Sequence, residues 1–202
     1  MLPAKALLLI CPYCGNEKPI MRIASGNTIG GSQRSDLKTD YPMLPEASAV
    51  QCCPQCGKYY FARLVKTKEA SYYSSDKGEL NYEEITEALH QLLQQPLEKR
   101  DEVNLRLLFI QSYNTKYQLA GVENLPVPTN EEQQLFRQQI TRLLEIWEVQ
   151  PLLKAEFLRE AGRFDECLEE LSTLKFDSPF ESDIADRIRF NAESHSSKVF
   201  II

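Results

Sequence analysis

The sequence predicts an α+β protein in two domains, a small antiparallel β unit followed by an all-α helical bundle. Three observations predict it. The five-residue form Cys-Pro-x-Cys-Gly occurs twice, at residues 11–15 and 53–57. From Asn81 onward the apolar residues fall at helical spacing, where before they came in short strand-like runs. Charge changes with them: residues 1–68 hold nine Lys or Arg against four Asp or Glu, and the remainder is strongly acidic. The expected boundaries are a first domain over 1–68, a polar linker over 69–80 and a helical domain over 81–202. A chain of 202 residues, 43% hydrophobic and 26% charged, has room for both, and eight glycines and eleven prolines exclude a low-complexity protein.

The first element is the apolar run "ALLLI" (6–10), a strand that feeds directly into Cys11, Pro12, Tyr13, Cys14 and Gly15. Taken alone these residues fit a glutaredoxin-type dithiol or half of a zinc site. A redox dithiol needs a helix opening at its first cysteine to lower the thiol pKa. Here Gly15, Asn16 and Pro19 interrupt any helix, and "PIMRIA" (19–24) reads as a second strand. The matching motif, Cys53 to Gly57, has no role in a glutaredoxin. Zinc prefers four tetrahedral ligands, and thiolates suit it. Proline after the first cysteine pre-sets φ for the turn, and glycine after the second permits positive φ. The pair therefore predicts one structural Zn2+ per chain, held by Cys11, Cys14, Cys53 and Cys56.

Cys52, beside Cys53, competes as a ligand, but Cys53 alone keeps the x-x spacing and the Pro-x-Cys-Gly context. His90 and His195 read as helix-surface residues. The insert "SGNTIGG" (25–31) suggests a phosphate loop at first glance, but it lacks a Gly-Lys-Ser/Thr ending and a following helix, so it reads as turns. "KYYFARLV" (58–65) is expected to be a strand. With so small a core, the first 65 residues should not hold a fold without zinc. Tyr13, Tyr41, Tyr59, Tyr60 and Phe61 among basic residues raise single-stranded nucleic acid as a ligand; the plainer reading makes these rings the minicore.

The helical half begins with a capping box at Asn81–Glu84 and a stripe of Ile85, Leu89, Leu92 and Leu93, ended by Pro96. A helix over 98–118 should turn Val103, Leu107, Ile110 and Tyr117 inward. Thr129–Glu132 is a second capping box, ahead of Leu135, Phe136, Ile140, Leu143, Leu144 and Trp147. Pro151 opens the next helix, where its missing N–H does no harm. In "LLKAEFLREAGRFDECLEEL" (152–171) one helix runs to Ala161, Gly162 turns the chain, and Phe164, Cys167, Leu168 and Leu171 face inward. This resembles one helix-turn-helix unit of a tetratricopeptide repeat, without a second copy at a 34-residue period, so the bundle is TPR-like. Ser178–Glu181 reads as a third capping box, and "KVFII" as a tail or strand packed on the body. The acidic groups Glu83, Glu84, Glu87, Glu131, Glu132, Glu166, Glu169 and Glu170 sit where helix first turns and solvated faces expect them, not as catalytic pairs.

Taken together, "CPYCG", "SGNTIGG", "YPMLPE", "CCPQCGKYYF" and "KAEFLREAGRFDECLEEL" resemble a bacterial family that joins an N-terminal two-knuckle zinc ribbon to a C-terminal TPR-like helical domain. The resemblance implies that architecture and zinc ligation by the four cysteines. It carries no activity.

The expected function is a non-enzymatic adaptor that meets a protein partner through its helical domain. Binding of nucleic acid by the ribbon is the second reading, and a thiol oxidoreductase the third. The N-terminus lacks the basic segment and cleavage site of a signal peptide, and no run approaches the roughly 18 apolar residues of a membrane helix. A cytoplasmic protein without membrane contact is therefore expected, in a compartment where six cysteines favour metal over disulfides.

Overall fold

A computed structural model describes all residues, Met1–Ile202. The fold is mixed α and β, with antiparallel strands first and six helices after them. No helix is long and apolar enough to cross a membrane. The chain divides into two compact units: Met1–Ser32 with Thr39–Leu105, and Gln33–Lys38 with Arg106–Ile202. The sequence expectation placed a linker at 69–80, whereas the units divide at Leu105/Arg106. A six-residue turn from between the cysteine motifs counts with the second unit.

Unit 1 is built on β1 (Leu2–Ile10). It lies between β2 (Glu17–Ser25) and β7 (Thr67–Glu69) in an antiparallel sheet of order β2-β1-β7. Alternation in β1 is used on both faces. Ala6 and Leu8 pack with Ala70, while Leu9 joins Ile20, Tyr60, Cys11 and Cys53. Register is fixed by Leu7 opposite Ile20 and Ile10 opposite Glu17, with an irregularity between Ala4 and Leu7. A short hairpin, β3 (Ser32–Gln33) and β4 (Thr39–Asp40), follows. Then β5 (Val50–Cys52) pairs with β6 (Tyr59–Phe61), Cys52 opposite Tyr59. The expected strand over 58–65 is therefore shorter: after Phe61 the chain makes a 3-10 turn at Ala62–Leu64.

Helix α1 (Tyr82–Leu92) starts with the predicted capping box; Asn81 accepts from the Glu84 N–H, and Glu84 accepts from the Asn81 N–H. Its buried face is Ile85, Ala88, Leu89 and Leu92. The helix belongs to unit 1 because it completes β6. Gln91 donates to the Tyr59 carbonyl at 3.0 Å and accepts the Tyr59 N–H at 3.2 Å, and the Tyr59 hydroxyl donates to Glu87 at 2.9 Å. A side-chain amide thus stands in for a missing strand.

Helix α2 (Lys99–Tyr117) contributes its first residues to unit 1, where Asp101 takes a bidentate pair from Arg63 at 2.7 and 2.6 Å. In unit 2 its buried apolar residues are Phe109, Ile110, Tyr113 and Tyr117, while Leu107 is half-buried. The expected stripe is shifted because Tyr113 stacks on Phe136 of α3 (Asn130–Ile146), ring centres 4.0 Å apart. Thr129 caps α3 in a full capping box. α4 (Pro151–Glu160), α5 (Phe164–Ser172) and α6 (Pro179–Glu193) share a core of Ala155, Leu158, Cys167, Leu171, Ile184, Ala185 and Ile188. Ser178 caps α6 more simply than expected, accepting from the Phe180 N–H at 3.2 Å. The tail packs as a strand-like edge: Val199 bridges Leu119, Ile201 bridges Arg34, and Phe200 is buried.

Between α4 and α5 the turn is a Schellman motif. The Gly162 N–H bonds the Arg159 carbonyl, the Arg163 N–H bonds the Leu158 carbonyl, and Gly162 sits at φ +75°. A Gly162→Ala variant should lose about 1 kcal/mol of stability from forcing an L-residue into the left-handed region. A lowered urea midpoint at unchanged slope is the expected outcome.

Candidate metal centre

Each cysteine motif caps a hairpin. The first joins β1 to β2, the second β5 to β6, and the two repeat one set of backbone bonds. Gly15 and Gly57 donate to the carbonyls of Cys11 and Cys53, at 3.0 and 2.9 Å. The Cys11 and Cys53 N–H groups donate to the carbonyls of Asn16 and Lys58, at 2.8 and 3.0 Å. Gly15 and Gly57 stand at φ +74° and +68°, with open space where a Cβ would be, so conformation and not crowding requires glycine there. These are two equivalent sulfur-presenting turns.

The turns bring the four predicted sulfurs together. Cys11, Cys14, Cys53 and Cys56 Sγ atoms all lie within 4.8 Å of one another. Across the motifs, Cys11 to Cys56 measures 3.7 Å and Cys14 to Cys53 3.6 Å. Metal–sulfur bonds of about 2.3 Å in a tetrahedron imply sulfur–sulfur edges of about 3.8 Å. A disulfide would need about 2.05 Å. The spacing therefore fits four thiolates around one ion. In each turn the first cysteine is buried and the second exposed, so the centre is anchored in the core on one side and reaches solvent on the other.

Electrostatics favour the same reading. Burial works against a Cys53 thiolate. N–H groups of Cys56 and Gln55, with the Cys56 and Cys14 thiols, nevertheless bring its pKa down to about 6. The Asn16 N–H favours the Cys14 thiolate, but desolvation and the other three thiols push it up to about 12. The cluster thus houses one negative charge readily and resists a second. A bound dication removes that resistance, which is why metal binding releases protons from such sites.

Cys52 stands outside the cluster. It ends β5, where alternation turns it away from the sulfur of Cys53. Its thiol lies 3.6 Å from the Gly57 carbonyl, and burial raises its pKa. His90 and His195 are both exposed. Of the aromatic residues near the motifs, Tyr59, Tyr60 and Phe61 are buried, Tyr60 in the cluster behind the cysteines. Tyr13 stays 44% exposed, with Lys58 Nζ 4.9 Å above its ring.

A second polar constellation, in unit 2, was not foreseen from the sequence. Arg34, Asp36, Asn114, Glu156, Arg159 and Glu160 are all buried. Glu156 and Arg159 stand at the i,i+3 spacing of an ordinary surface pair. The one available signal was their flanking by Ala155, Phe157, Leu158 and Ala161, which leaves α4 no wholly polar face.

No family model, curated protein or solved structure matches this chain. Replacing Cys52 with alanine should leave metal stoichiometry unchanged. Cys14→Ala should weaken binding by more than about 100-fold, beyond the loss expected from an outer-sphere contact. Metal analysis after dialysis against a competing chelator distinguishes the two.

Proposed function

We propose that the protein is a structural zinc protein acting as an adaptor, without catalytic chemistry of its own. The observation that carries the zinc assignment is the tetrahedral spacing of four thiols supplied by two equivalent turns. Among first-row metals, an all-thiolate tetrahedral set suits zinc. Four protein ligands leave no position for water or substrate, so the ion's work is to hold β1–β2 against β5–β6. Behind the cysteines sit only Leu9, Ile20 and Tyr60, so metal binding on the order of 10 kcal/mol is what holds the two hairpins together there.

The adaptor role rests on the helical unit. α4, the Gly162 turn and α5 form a TPR-like helix pair, a type of unit used for protein recognition. Thr141 and Leu144 of α3, Lys154 of α4, Arg163 just before α5 and Glu166 within it line one groove of unit 2. A groove mixing exposed charge of both signs with an apolar floor suits a peptide segment of a protein partner, in a reducing cytoplasm where the thiols persist. A second reading, nucleic acid bound by the ribbon, is favoured by exposed Tyr13 with Lys58 above its ring, together with exposed Tyr72 and Tyr73.

Chelating the ion from the full-length protein should collapse unit 1, seen as loss of strand signal in circular dichroism and protease cutting before residue 68. Retention of the strand signal in metal-free protein would contradict a structural role. Filter binding with single-stranded DNA and RNA at two salt concentrations should show no salt-sensitive retention if the adaptor reading holds. Paired Lys154→Glu and Arg163→Glu changes should abolish capture of the protein partner without unfolding the helices.

A further inference from the structure

The buried polar cluster of unit 2 contains three carboxylates, Asp36, Glu156 and Glu160, and two guanidinium groups, Arg34 and Arg159. Each guanidinium is committed elsewhere. Arg34 makes a bidentate pair with Asp36 and adds bonds to Thr115 Oγ1 at 2.8 Å and the Gln111 carbonyl at 3.1 Å. Arg159 is bidentate to Glu156, at 2.8 and 2.5 Å, and donates its remaining nitrogen to the Ser196 carbonyl. Glu160, 1% exposed, is left with one neutral partner: the Asn114 amide donates to its Oε2 at 2.8 Å. That same amide nitrogen also donates to Asp36 Oδ2 at 3.0 Å. Glu160 Oε1 is buried without a hydrogen-bond partner.

We propose that Glu160 is a buried proton-binding site, occupied near neutral pH, and that loss of its proton loosens the turn Gln33–Lys38 from the helices of unit 2. An ionised Glu160 would be a third negative charge beside two guanidinium groups already committed to Asp36 and Glu156, which the interior penalises heavily. A proton on Oε1 turns a partnerless acceptor into a donor. Two further buried acceptors in the neighbourhood lack partners, Asn114 Oδ1 and Gln118 Oε1, the latter one turn farther along the chain. Burial first, then the charges of Glu156 and Asp36, push the Glu160 carboxyl well above its usual range, with Arg159 opposing. Two further titratable groups face the cluster. Lys38 of the turn reaches Thr115 at 3.2 Å, and α5 contributes the neutral Cys167 thiol, itself raised to about 12 by burial.

The turn depends on this cluster. Leu37 is held at φ +67°, a conformation that costs a branched side chain energy. Asp36 fixes it from within, accepting from Arg34 and from the Lys38 N–H at 3.2 Å, and Asn114 fixes Asp36 to α2. Ionised Glu160 repels Asp36, because the two N–H groups of the Asn114 amide hold both carboxylates against one nitrogen, at 2.8 and 3.0 Å. Because the folded state keeps a proton that the unfolded state gives up above about pH 4.3, this group's contribution to stability is full below that pH. It then falls as pH rises, until the folded carboxyl itself ionises. Within that window the unfolding equilibrium constant grows by up to about tenfold per pH unit from this group.

The test uses full-length, metal-loaded protein labelled with carbon-13 at the glutamate carboxyls, with Glu160 assigned through bonds in the wild type. At pH 7 its resonance should hold the protonated-acid position. Urea unfolding from pH 6 to 8 should show stability falling with pH in the wild type and the loss of that dependence in Glu160→Gln. Amide exchange at Ser35 and Leu37 should lose protection at high pH in the wild type only. An ionised Glu160 at pH 7, or equal pH slopes in wild type and variant, would overturn the proposal. So would stability that follows the choice of potassium or sodium instead of pH, since the positive charge would then be a bound cation.

Discussion

Four sulfur atoms that must meet at one point are the constraint on which unit 1 depends. β1–β2, extended by β7, and the three-residue strands of β5–β6 belong to separate sheets, and the second is too short to be stable alone. Their turns place Cys11 and Cys53 in the core and leave Cys14 and Cys56 facing solvent. The minicore of Leu9, Ile20 and Tyr60 gathers directly behind the two buried cysteines. Coordination and hydrophobic packing therefore act on the same residues. The Gln91 and Glu87 contacts to Tyr59 then fasten α1 to the free side of β6.

Unit 2 is stabilised differently. Its apolar core is ordinary helix packing, but α4 runs through it with Glu156, Arg159 and Glu160 buried. Such a polar interior holds only if every member finds a partner. Arg34 and Arg159 each satisfy a carboxylate with a bidentate fork, as guanidinium geometry favours. One carboxylate is left over, and the consistent way to accommodate it is as the neutral acid. The short turn 33–38 is thereby tied to the protonation of a residue more than a hundred positions away in sequence.

Much of this was legible in the sequence because it is locally encoded. The doubled Cys-Pro-x-Cys-Gly form specifies its own turns through proline, glycine and backbone bonds, independent of distant residues. Asn81 and Thr129 announced their helices because a capping box closes within four residues, and Gly162 marked a turn for the same local reason. What could not be read is what depends on distant partners. α1 read as the start of the helical domain, since nothing near Gln91 signals that its amide completes a strand 32 residues earlier. Ser178 to Glu181 carried a capping-box pattern, yet the serine bonds the second helical residue. Glu156, Arg159 and Glu160 carry the spacing of solvated charges, and only the placement of Arg34 and Asp36 reveals them as interior.

The central claim is that the four thiols are ligands of one ion, and the exposed pair, Cys14 and Cys56, tests it most directly. Unligated, those two would be the most accessible of the six cysteines. Alkylating the native protein and mapping the labelled peptides should modify Cys52 and spare Cys14 and Cys56 until a chelator is added, after which all four cluster cysteines react. Rapid labelling of Cys14 and Cys56 in protein purified with zinc present would contradict the account.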